Sequence, residues 1–307
     1  MIKLVTITFN DGLGEMYNLE QLRMFAETVE SGSFSASARK LGKVQSAVSQ
    51  GIANLEIDLG VELFDRTTRK PQLTAEGARL LVHAQSVLSQ IDDLNTTAAG
   101  INRGEEVRIR IALEDAILVP RLSLILTAFG ERFQATTIEV LSAPSPDVAN
   151  LVLNGRANIG LMFSEMEIEK GVDQCFIGNL PFYAVCEPTH PLTRLASVAM
   201  RDLVPHRQLM MKGKVGQGLD QFPPLSTDIW SATSFHVIRE MVIQGVGWSY
   251  LPGHLVDQEI EAGRLHRMNL SFDHKPWSPP VELVMQKNQV MGPALLWLSE
   301  ALKELFS

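Results

Sequence analysis

Cysteine, long apolar runs and familiar catalytic motifs are scarce or missing in this chain of 307 residues. The only cysteines, Cys175 and Cys186, are too few and too widely spaced for a metal site or a Cys-x-x-Cys redox motif. Two reduced thiols are the expected state, and a redox-sensing pair is the alternative. No apolar run approaches the roughly 20 residues of a membrane span, and no signal peptide is recognisable. We therefore expect a cytoplasmic protein without membrane contact.

The motifs of the common enzyme classes are missing as well. There is no Gly-x-Ser-x-Gly elbow, no His-Glu-x-x-His and no Walker loop, and Gly245-Val-Gly247 lacks the third glycine of a dinucleotide-binding loop. The seven histidines have no ligand spacing. The sequence therefore predicts no catalytic residues, no metal ion and no cofactor.

Residues 33–55 have the pattern of a helix-turn-helix. Two helices that cross steeply need a short turn and small side chains where they touch, and Ala38 and Gly42 meet these needs, while Val48 and Ile52 face inward. The outward positions of the second helix carry short polar side chains that suit base edges in a major groove, namely Gln45, Ser46, Ser49, Gln50 and Asn54. The pattern predicts binding to duplex DNA, and an ordinary antiparallel helix pair is the alternative.

The flanks of this motif support the DNA-binding interpretation. Residues 19–31 have the apolar spacing of an amphipathic helix that completes a three-helix core. Residues 63–74, which we call the wing, are predicted to form two short strands around a basic tip, and Pro71 fits only an edge or a loop there. Besides the polar residues of the second helix, the residues predicted to contact DNA are Ser33, Arg66, Thr67, Arg69 and Lys70.

The formal net charge of −8 opposes non-specific DNA binding, which depends on neutralising phosphates. The objection weakens because Arg39, Lys40 and Lys43 concentrate positive charge beside the motif, and the local field governs the encounter. Few phosphate contacts per chain are still expected, so useful affinity should need a dimer.

A long helix with a seven-residue repeat follows the wing. From Thr74, a plausible N-cap, the helical pattern runs to about residue 102. Its apolar positions alternate at spacings of four and three and form what we call the heptad seam: Leu80, Ala84, Val87, Ile91, Leu94, Ala98 and Ile101. This period favours pairing with a second copy of the helix over packing on the same chain.

Residues 107–307 alternate between strand and helix patterns. A β-α-β-α-β order over residues 107–163 implies a parallel sheet with crossover helices, and a second set of elements follows. We expect two α/β lobes whose chain crossings lie near residues 164–167 and 267–271.

A ligand site is expected where strands end and helices begin, because open α/β sheets bind ligands there. Hydroxyl and backbone N–H groups before a helix can receive an anion, although each serine is individually more often a cap. The residues at these positions are Glu114, Asp115, Ser142, Ala143, Pro144, Ser145, Phe163, Ser164, Lys212, Ser231, Ala232, Thr233, Ser234, Gly247 and Trp248.

Residues 18–79 resemble the winged helix-turn-helix of LysR-type transcriptional regulators. The match lies in residues 18–25, 32–42, 45–50, 55–56, 59–66 and 73–77. The resemblance implies a regulator whose remaining chain forms a periplasmic-binding-protein-like pair of lobes around an effector cleft, and whose dimers often pair into tetramers. Gly51 departs from the family, which usually has a long polar residue there, so we expect one DNA contact to be missing.

The predicted fold class is multidomain α/β: an N-terminal winged helix-turn-helix, a long dimerisation helix and a two-lobed effector domain. The predicted boundaries are 1–17 for an N-terminal extension, 18–75, 76–103 and 104–307, with lobe 1 at about 104–164 and 269–307 and lobe 2 at about 165–268. The expected partners are double-stranded promoter DNA, a small-molecule effector and a second copy in a homodimer or homotetramer, and RNA polymerase is a further candidate. The alternatives are a solute-binding module, for which residues 19–74 have no purpose, and a redox-responsive regulator without a cleft ligand.

Overall fold

The computed structural model describes residues 18–65, 71–165, 171–213, 218–219 and 221–307. The chain divides into two compact units between Ala98 and Ala99, within a long helix. The first unit is helical with a two-stranded sheet, and the second is α/β.

Short helices form the core of the first unit: α1 (Leu19–Ser31), α2 (Phe34–Lys40) and α3 (Gln45–Leu59). Asn18 starts α1 through a capping box with Gln21. Gly42, between α2 and α3, has φ of +65°, a conformation that glycine adopts without steric cost. The buried apolar side chains include Leu22, Phe25, Ala38, Val48, Ile52 and Leu55. The predicted three-helix core is confirmed.

The wing begins and ends in short antiparallel strands, β1 (Phe64–Asp65) and β2 (Gln72–Leu73). Near the end of α3, the buried carboxylate of Glu56 accepts the backbone N–H groups of Leu63 at 2.8 Å and Phe64 at 3.3 Å. Because a buried carboxylate is costly without donors, these bonds fix the wing to α3. The basic tip of the wing lies outside the described residues.

The long helix α4 (Ala75–Asn102) follows the wing directly. The Thr74 hydroxyl accepts the N–H of Gly77 at 2.9 Å, which confirms the predicted N-cap. A Cβ atom on Gly77 would lie 2.2 Å from the carbonyl oxygen of Leu63. A glycine is therefore needed where α4 touches the base of the wing.

The elements of the second unit are, in chain order, β3 (Arg108–Leu113), α5 (Pro120–Arg132), β4 (Thr137–Ser142), α6 (Ser145–Leu153), β5 (Ile159–Phe163), β6 (Val172–Asn179), β7 (Phe182–Cys186), α7 (Met200–Leu203), β8 (Gln208–Met211), β9 (Ile229–Ala232), α8 (Phe235–Ile243), β10 (Ser249–Pro252), α9 (Gly253–Glu261), β11 (His266–Arg267), β12 (Pro280–Gln286) and α10 (Pro293–Lys303).

Lobe 1 is built on a five-stranded sheet in the order β4-β3-β5-β12-β6. β3 pairs in parallel with β4 and β5, as the β-α-β-α-β pattern predicts. β12 runs antiparallel to both β5 and β6, so the sheet is mixed. The buried strand β5 lies at its centre.

Lobe 2 contains the antiparallel sheet β10-β7-β11 and the parallel pair β8-β9. A parallel bridge between Gln208 and Trp248 joins the two sets. The helices α8 and α9 pack against β10, and their buried side chains join the same core as those of lobe 1.

Both predicted crossings between the lobes are wrong. After β5 the chain forms β6 within the sheet of lobe 1, so the outward crossing lies between Asn179 and Phe182. Arg267 pairs with Val185 in lobe 2 and Leu270 bridges Val198 there, so the return comes later, before Pro280. The predicted lobe boundaries at 164/165 and 268/269 move accordingly. β6 escaped prediction because an edge strand with many exposed side chains has no continuous apolar run.

Candidate DNA-binding and effector sites

Helix α3 separates a buried apolar side from an exposed polar side. Val48 and Leu55 are completely buried, and Ile52 nearly so. On the exposed side lie all the residues predicted for base contact, Gln45, Ser46, Ser49, Gln50 and Asn54. Such a helix can enter a major groove without disturbing its own core.

Part of this polar side is internally hydrogen-bonded. The Ser35 hydroxyl donates to Gln45 Oε1 at 2.8 Å, and Gln50 Nε2 donates to Asn54 Oδ1 at 2.8 Å. Since both pairs are exposed, base edges can replace either partner at low cost. The hydroxyls of Ser46 and Ser49 make no hydrogen bond to the described residues, which leaves them free for a ligand.

Gly51 does not face the same way as these polar side chains. It is half-buried, and a Cβ atom there would lie 2.3 Å from Met24 Sδ on α1. The expectation that Gly51 marks a missing DNA contact is therefore wrong. The glycine makes room for Met24, which is buried between the helices.

The positive charge beside the motif is largely paired. Lys40 Nζ lies 3.1 Å from Glu27 and 3.2 Å from Glu30, and Lys43 forms an ion pair with Glu20. Arg39 is exposed, and the described part of the chain gives it no ion pair. The local field is consequently weaker than the count of basic residues suggests.

The remaining predicted DNA contacts divide into two groups. Ser33 is half-buried, and its hydroxyl accepts the N–H of Ala36 at 3.1 Å, so it is the N-cap of α2. The wing residues Arg66, Thr67, Arg69 and Lys70 lie outside the described residues.

The heptad seam of α4 is used unevenly. Ala84 is buried in the core of the first unit, where Leu80 also packs. Val87, Leu94 and Ile101 remain 43%, 62% and 60% exposed, at intervals of seven residues. Ile91 is half-buried and Ala98 is exposed. The N-terminal end of the seam thus packs in the core of its own chain, and the exposed remainder can pack against a partner.

Asp115 joins the two lobes. It follows β3 in lobe 1, and its carboxylate accepts the Ser234 hydroxyl at 2.5 Å and the Phe235 N–H at 3.2 Å, at the start of α8 in lobe 2. His236 Nδ1 lies 3.4 Å away. Burial alone would raise the pKa of Asp115, but these hydrogen bonds lower it below its ordinary value. The helix N-terminus predicted to receive a ligand anion thus holds a carboxylate of the same chain.

Glu114 forms an internal network beside this contact. Its buried carboxylate accepts the Ser145 N–H at 2.7 Å, and the Ser145 hydroxyl accepts the Phe163 N–H at 2.9 Å. Burial and the neighbouring Asp115 raise the pKa of Glu114 well above its ordinary value. Glu114 and Ser145 therefore connect the strand ends of lobe 1 and do not line an open cleft.

Aromatic rings fill the space beside the same strand ends. Phe163 of lobe 1 lies 5.4 Å from Phe182, and Phe182 lies 4.7 Å from Phe222 and 5.4 Å from Phe235 of lobe 2. Gln221 Nε2 donates to the Ser164 carbonyl at 3.1 Å, which fixes the segment that carries Phe222. The lobes are therefore in contact in this structure.

Other predicted effector residues are distributed more widely. The prediction that Gly247 and Trp248 contact a ligand is wrong. A Cβ on Gly247 would lie 2.5 Å from the Arg207 carbonyl oxygen, so this position packs against the backbone. Trp248 is wholly buried, and its indole N–H donates to the His206 carbonyl. Ala143 and Pro144 are buried, whereas Ser142, Ser231 and Thr233 are exposed, and Lys212 and Ala232 are half-buried.

Sequence reasoning missed two neighbouring cavities in lobe 2. The larger, of about 280 Å³, is lined by Phe182, Tyr183, Ala184, Tyr250, Arg267, Met268, Asn269, Leu270, Asp273, His274, Lys275, Pro276 and Trp277. The smaller, of about 190 Å³, is lined by Met200, Gln221, Phe222, Pro223, Leu225, Tyr250, Phe272, Asp273 and Trp277. The available sequence signal is the mixture of aromatic and charged residues at 272–277, which we call the return segment.

The cysteines differ in reactivity. Cys186 is buried in lobe 2, and burial raises the pKa of its thiol to about 12. Cys175 is exposed on β6. A thiol that stays protonated is a poor nucleophile, so this geometry favours a core role for Cys186 over redox sensing.

The described residues offer neither a metal site nor a membrane-spanning helix. They contain no group of three or more His, Cys, Asp or Glu side chains placed to hold a metal ion. None of the helices in these ranges is long and apolar enough to span a membrane.

The geometry defines a class of protein: a winged helix-turn-helix joined by a long helix to a two-lobed α/β domain. The family models agree. "Bacterial regulatory helix-turn-helix protein, lysR family" matches residues 19–78, and "LysR substrate binding domain" matches residues 102–307. The chain belongs to the LysR family of transcriptional regulators, with a DNA-binding helix-turn-helix and an effector-binding domain.

Individual relatives match this chain over most of its length. It is 30% identical over 287 residues to the HTH-type transcriptional regulator AceR of Acinetobacter baumannii. The aligned region covers 93% of this chain and 96% of AceR. It is 28% identical to the multiple virulence factor regulator MvfR of Pseudomonas aeruginosa, covering 81% and 75%. Among solved structures, CrgA of Neisseria meningitidis has a TM-score of 0.51 at 23% identity and covers 95% of this chain and 100% of its own, a likeness of fold.

Proposed function

We propose that this regulator binds promoter DNA as a homodimer through α3, and that a small-molecule effector acting between lobes 1 and 2 controls it. The observation that carries the proposal is the polar side of α3, where every predicted base-contacting residue is exposed while the opposite side is core. Two such helices can occupy successive major grooves.

The open part of the heptad seam supports the dimer. Val87, Leu94 and Ile101 expose apolar surface at a seven-residue interval, which a second copy of α4 can cover in a coiled coil. We expect these dimers to pair into homotetramers. The site of action is the cytoplasm, where promoter DNA is found, and RNA polymerase is a candidate second partner.

The contact of Asp115 with α8 supports control by lobe movement. It joins lobe 1 to lobe 2 through hydrogen bonds to Ser234 and Phe235. An effector that binds better when this contact is rearranged shifts the population of lobe geometries. The change then reaches the DNA-binding unit through α4.

A matched pair of variants tests DNA binding. Duplex DNA is selected by the full-length protein from a randomised pool and used in gel-shift titrations. Ser49→Glu places a carboxylate on the exposed side of α3, against the phosphate field, and should weaken binding at least tenfold. Ser89→Glu, on an exposed position of α4, should bind as the wild type does.

Two results would contradict the proposal. One is equal affinity of the Ser49→Glu variant and the wild type for the selected duplex. The other is failure of the wild type to enrich any sequence at low salt, which would favour a solute-binding module.

A further inference from the structure

The smaller lobe 2 cavity has the size and lining for an aromatic ring. Its walls are mainly apolar side chains from α7, the β8–β9 connection and the return segment, including Met200, Leu225 and Phe272. Its volume of about 190 Å³ exceeds the roughly 150 Å³ of an engineered apolar cavity that binds benzene. One ring therefore fits without displacing the walls.

The larger cavity adds positive charge beside this apolar space. Arg267 and Lys275 line it, and neither forms an ion pair with a carboxylate in the described ranges. The Arg267 guanidinium stacks on Tyr183, 3.8 Å from the ring centroid. Stacking orients the guanidinium and leaves its N–H edge available to a planar anion.

Asp273 is the carboxylate that lines both cavities. It accepts the Tyr250 hydroxyl at 2.7 Å. Burial raises the pKa of Tyr250, and the carboxylate of Asp273 raises it further, so the hydroxyl remains a donor. The lining thus contains two basic side chains and one carboxylate that already accepts a hydrogen bond from Tyr250, so its charge favours an anion.

We propose that the two cavities form one binding site for a small aromatic monocarboxylate. The ring occupies the smaller cavity, and the carboxylate contacts Arg267 and Lys275 in the larger one. The cavities are neighbours because they share Tyr250, Asp273 and Trp277. The site goes beyond the function proposed above, because its lining contains none of the described residues that join Asp115 to α8.

A bound ligand would join parts of lobe 2 that are far apart in sequence. Tyr183 belongs to β7, Arg267 to β11, and Trp277 lies just before the chain re-enters lobe 1 at Pro280. Trp277 already pairs with Phe182, whose N–H donates to its carbonyl at 2.7 Å. Occupation of the site thus stabilises the return segment.

Calorimetric titration of the full-length protein tests the ligand class. The probe is 3-phenylpropionate, with phenethylamine as a cation carrying the same ring and propionate as an anion without a ring. We expect saturable binding of 3-phenylpropionate at least tenfold tighter than either control. No binding at millimolar concentration, or equal binding of phenethylamine, would overturn the proposal.

Variants locate the site. Arg267→Ala should weaken 3-phenylpropionate about tenfold, whereas Arg264→Ala, an exposed arginine paired with Glu259, should not. Met200→Trp should block binding by filling the smaller cavity, whereas Arg201→Trp, beside it and 88% exposed, should not. Equal affinity of the Arg267→Ala and Met200→Trp variants with the wild type would place the ligand elsewhere. Gel shift on the same samples is a separate readout, so failure here leaves the DNA-binding proposal standing.

Discussion

His254, at the start of α9, is half-buried, and both nitrogens of its ring are shielded from solvent. Neither ring nitrogen has a partner among the described residues. Burial lowers its pKa, and the nearby His236 lowers it further, while Asp257 opposes them. The folded state therefore holds a neutral ring that the unfolded state protonates more readily.

This predicts that His254 lowers the stability of the folded protein as the pH falls. A histidine whose folded pKa is lowered destabilises the protein as pH falls through its ordinary value of about 6.5, because the unfolded state then binds more protons. His254→Leu should reduce the loss of thermal stability between about pH 7.5 and pH 5.5. The control is His266→Leu on the exposed strand β11. An unchanged loss in the His254→Leu variant would contradict the prediction.

The role of a residue could be predicted from the sequence where it depends on the local pattern. It could not be predicted where it depends on contacts with residues far away in the sequence. The exposed side of α3 and the turn at Gly42 follow from helical spacing and glycine conformation. Asp115 was placed correctly at a strand end, but its partner Ser234 lies 119 positions away, and nothing local indicates that the two meet. Gly51 was misread for the same reason, since its neighbour Met24 belongs to another helix.

At the scale of elements, the close packing of α3 on α1 depends on the pair Gly51 and Met24. Two effects oppose each other at position 51. A Cβ there would come within 2.3 Å of Met24 Sδ. Glycine, however, destabilises a helix by about 1 kcal/mol relative to alanine. In a Met24→Ala background, Gly51→Ala should stabilise the protein by about 1 kcal/mol, because only the helix propensity remains.

In the wild-type background the same Gly51→Ala substitution should lose this gain or become destabilising, because overpacking costs about 1–3 kcal/mol. Urea unfolding of the four proteins gives the coupling energy. The expected coupling is about 1 kcal/mol or more in favour of the double variant. Independent effects would mean that Met24 moves aside freely.

Elements were predicted best where they are long or strongly patterned. The helices α1 to α5 and the parallel strands β3, β4 and β5 follow from apolar periodicity. β6 and the short helix α9 were missed, the former because its partly exposed residues show no apolar run. Both lobe crossings were misplaced as a result, since the edge strand that delays the first could not be seen.

For the whole molecule, we predict that the heptad seam controls the oligomeric state. Leu94 is 62% exposed in the single chain, and burial of such side chains drives pairing of helices. Leu94→Glu should convert the protein to a monomer in multi-angle light scattering, because two carboxylates would face each other in the interface. The control Ser89→Glu lies off the seam and should stay dimeric. A dimeric Leu94→Glu variant would show that α4 is not the interface.

The overall class was predictable because each part has its own pattern: a glycine turn, a seven-residue repeat and an alternation of strands with helices. The contact between the two lobes was not predictable. It depends on Phe222 reaching Phe163 and Phe182, and on Asp115 reaching α8, which are contacts between sequence-distant segments. The two lobe 2 cavities depend likewise on how the return segment passes Tyr250 and Phe182.

The hydrogen bonds from α8 to Asp115 make this carboxylate a tethered competitor. Because it is part of the chain, it competes at an effective concentration that dilution cannot change. A free anion at that helix end must therefore exceed this concentration or bind more tightly than Asp115 does. The strength of this competition is thus a property of the chain itself, and it does not change with protein concentration.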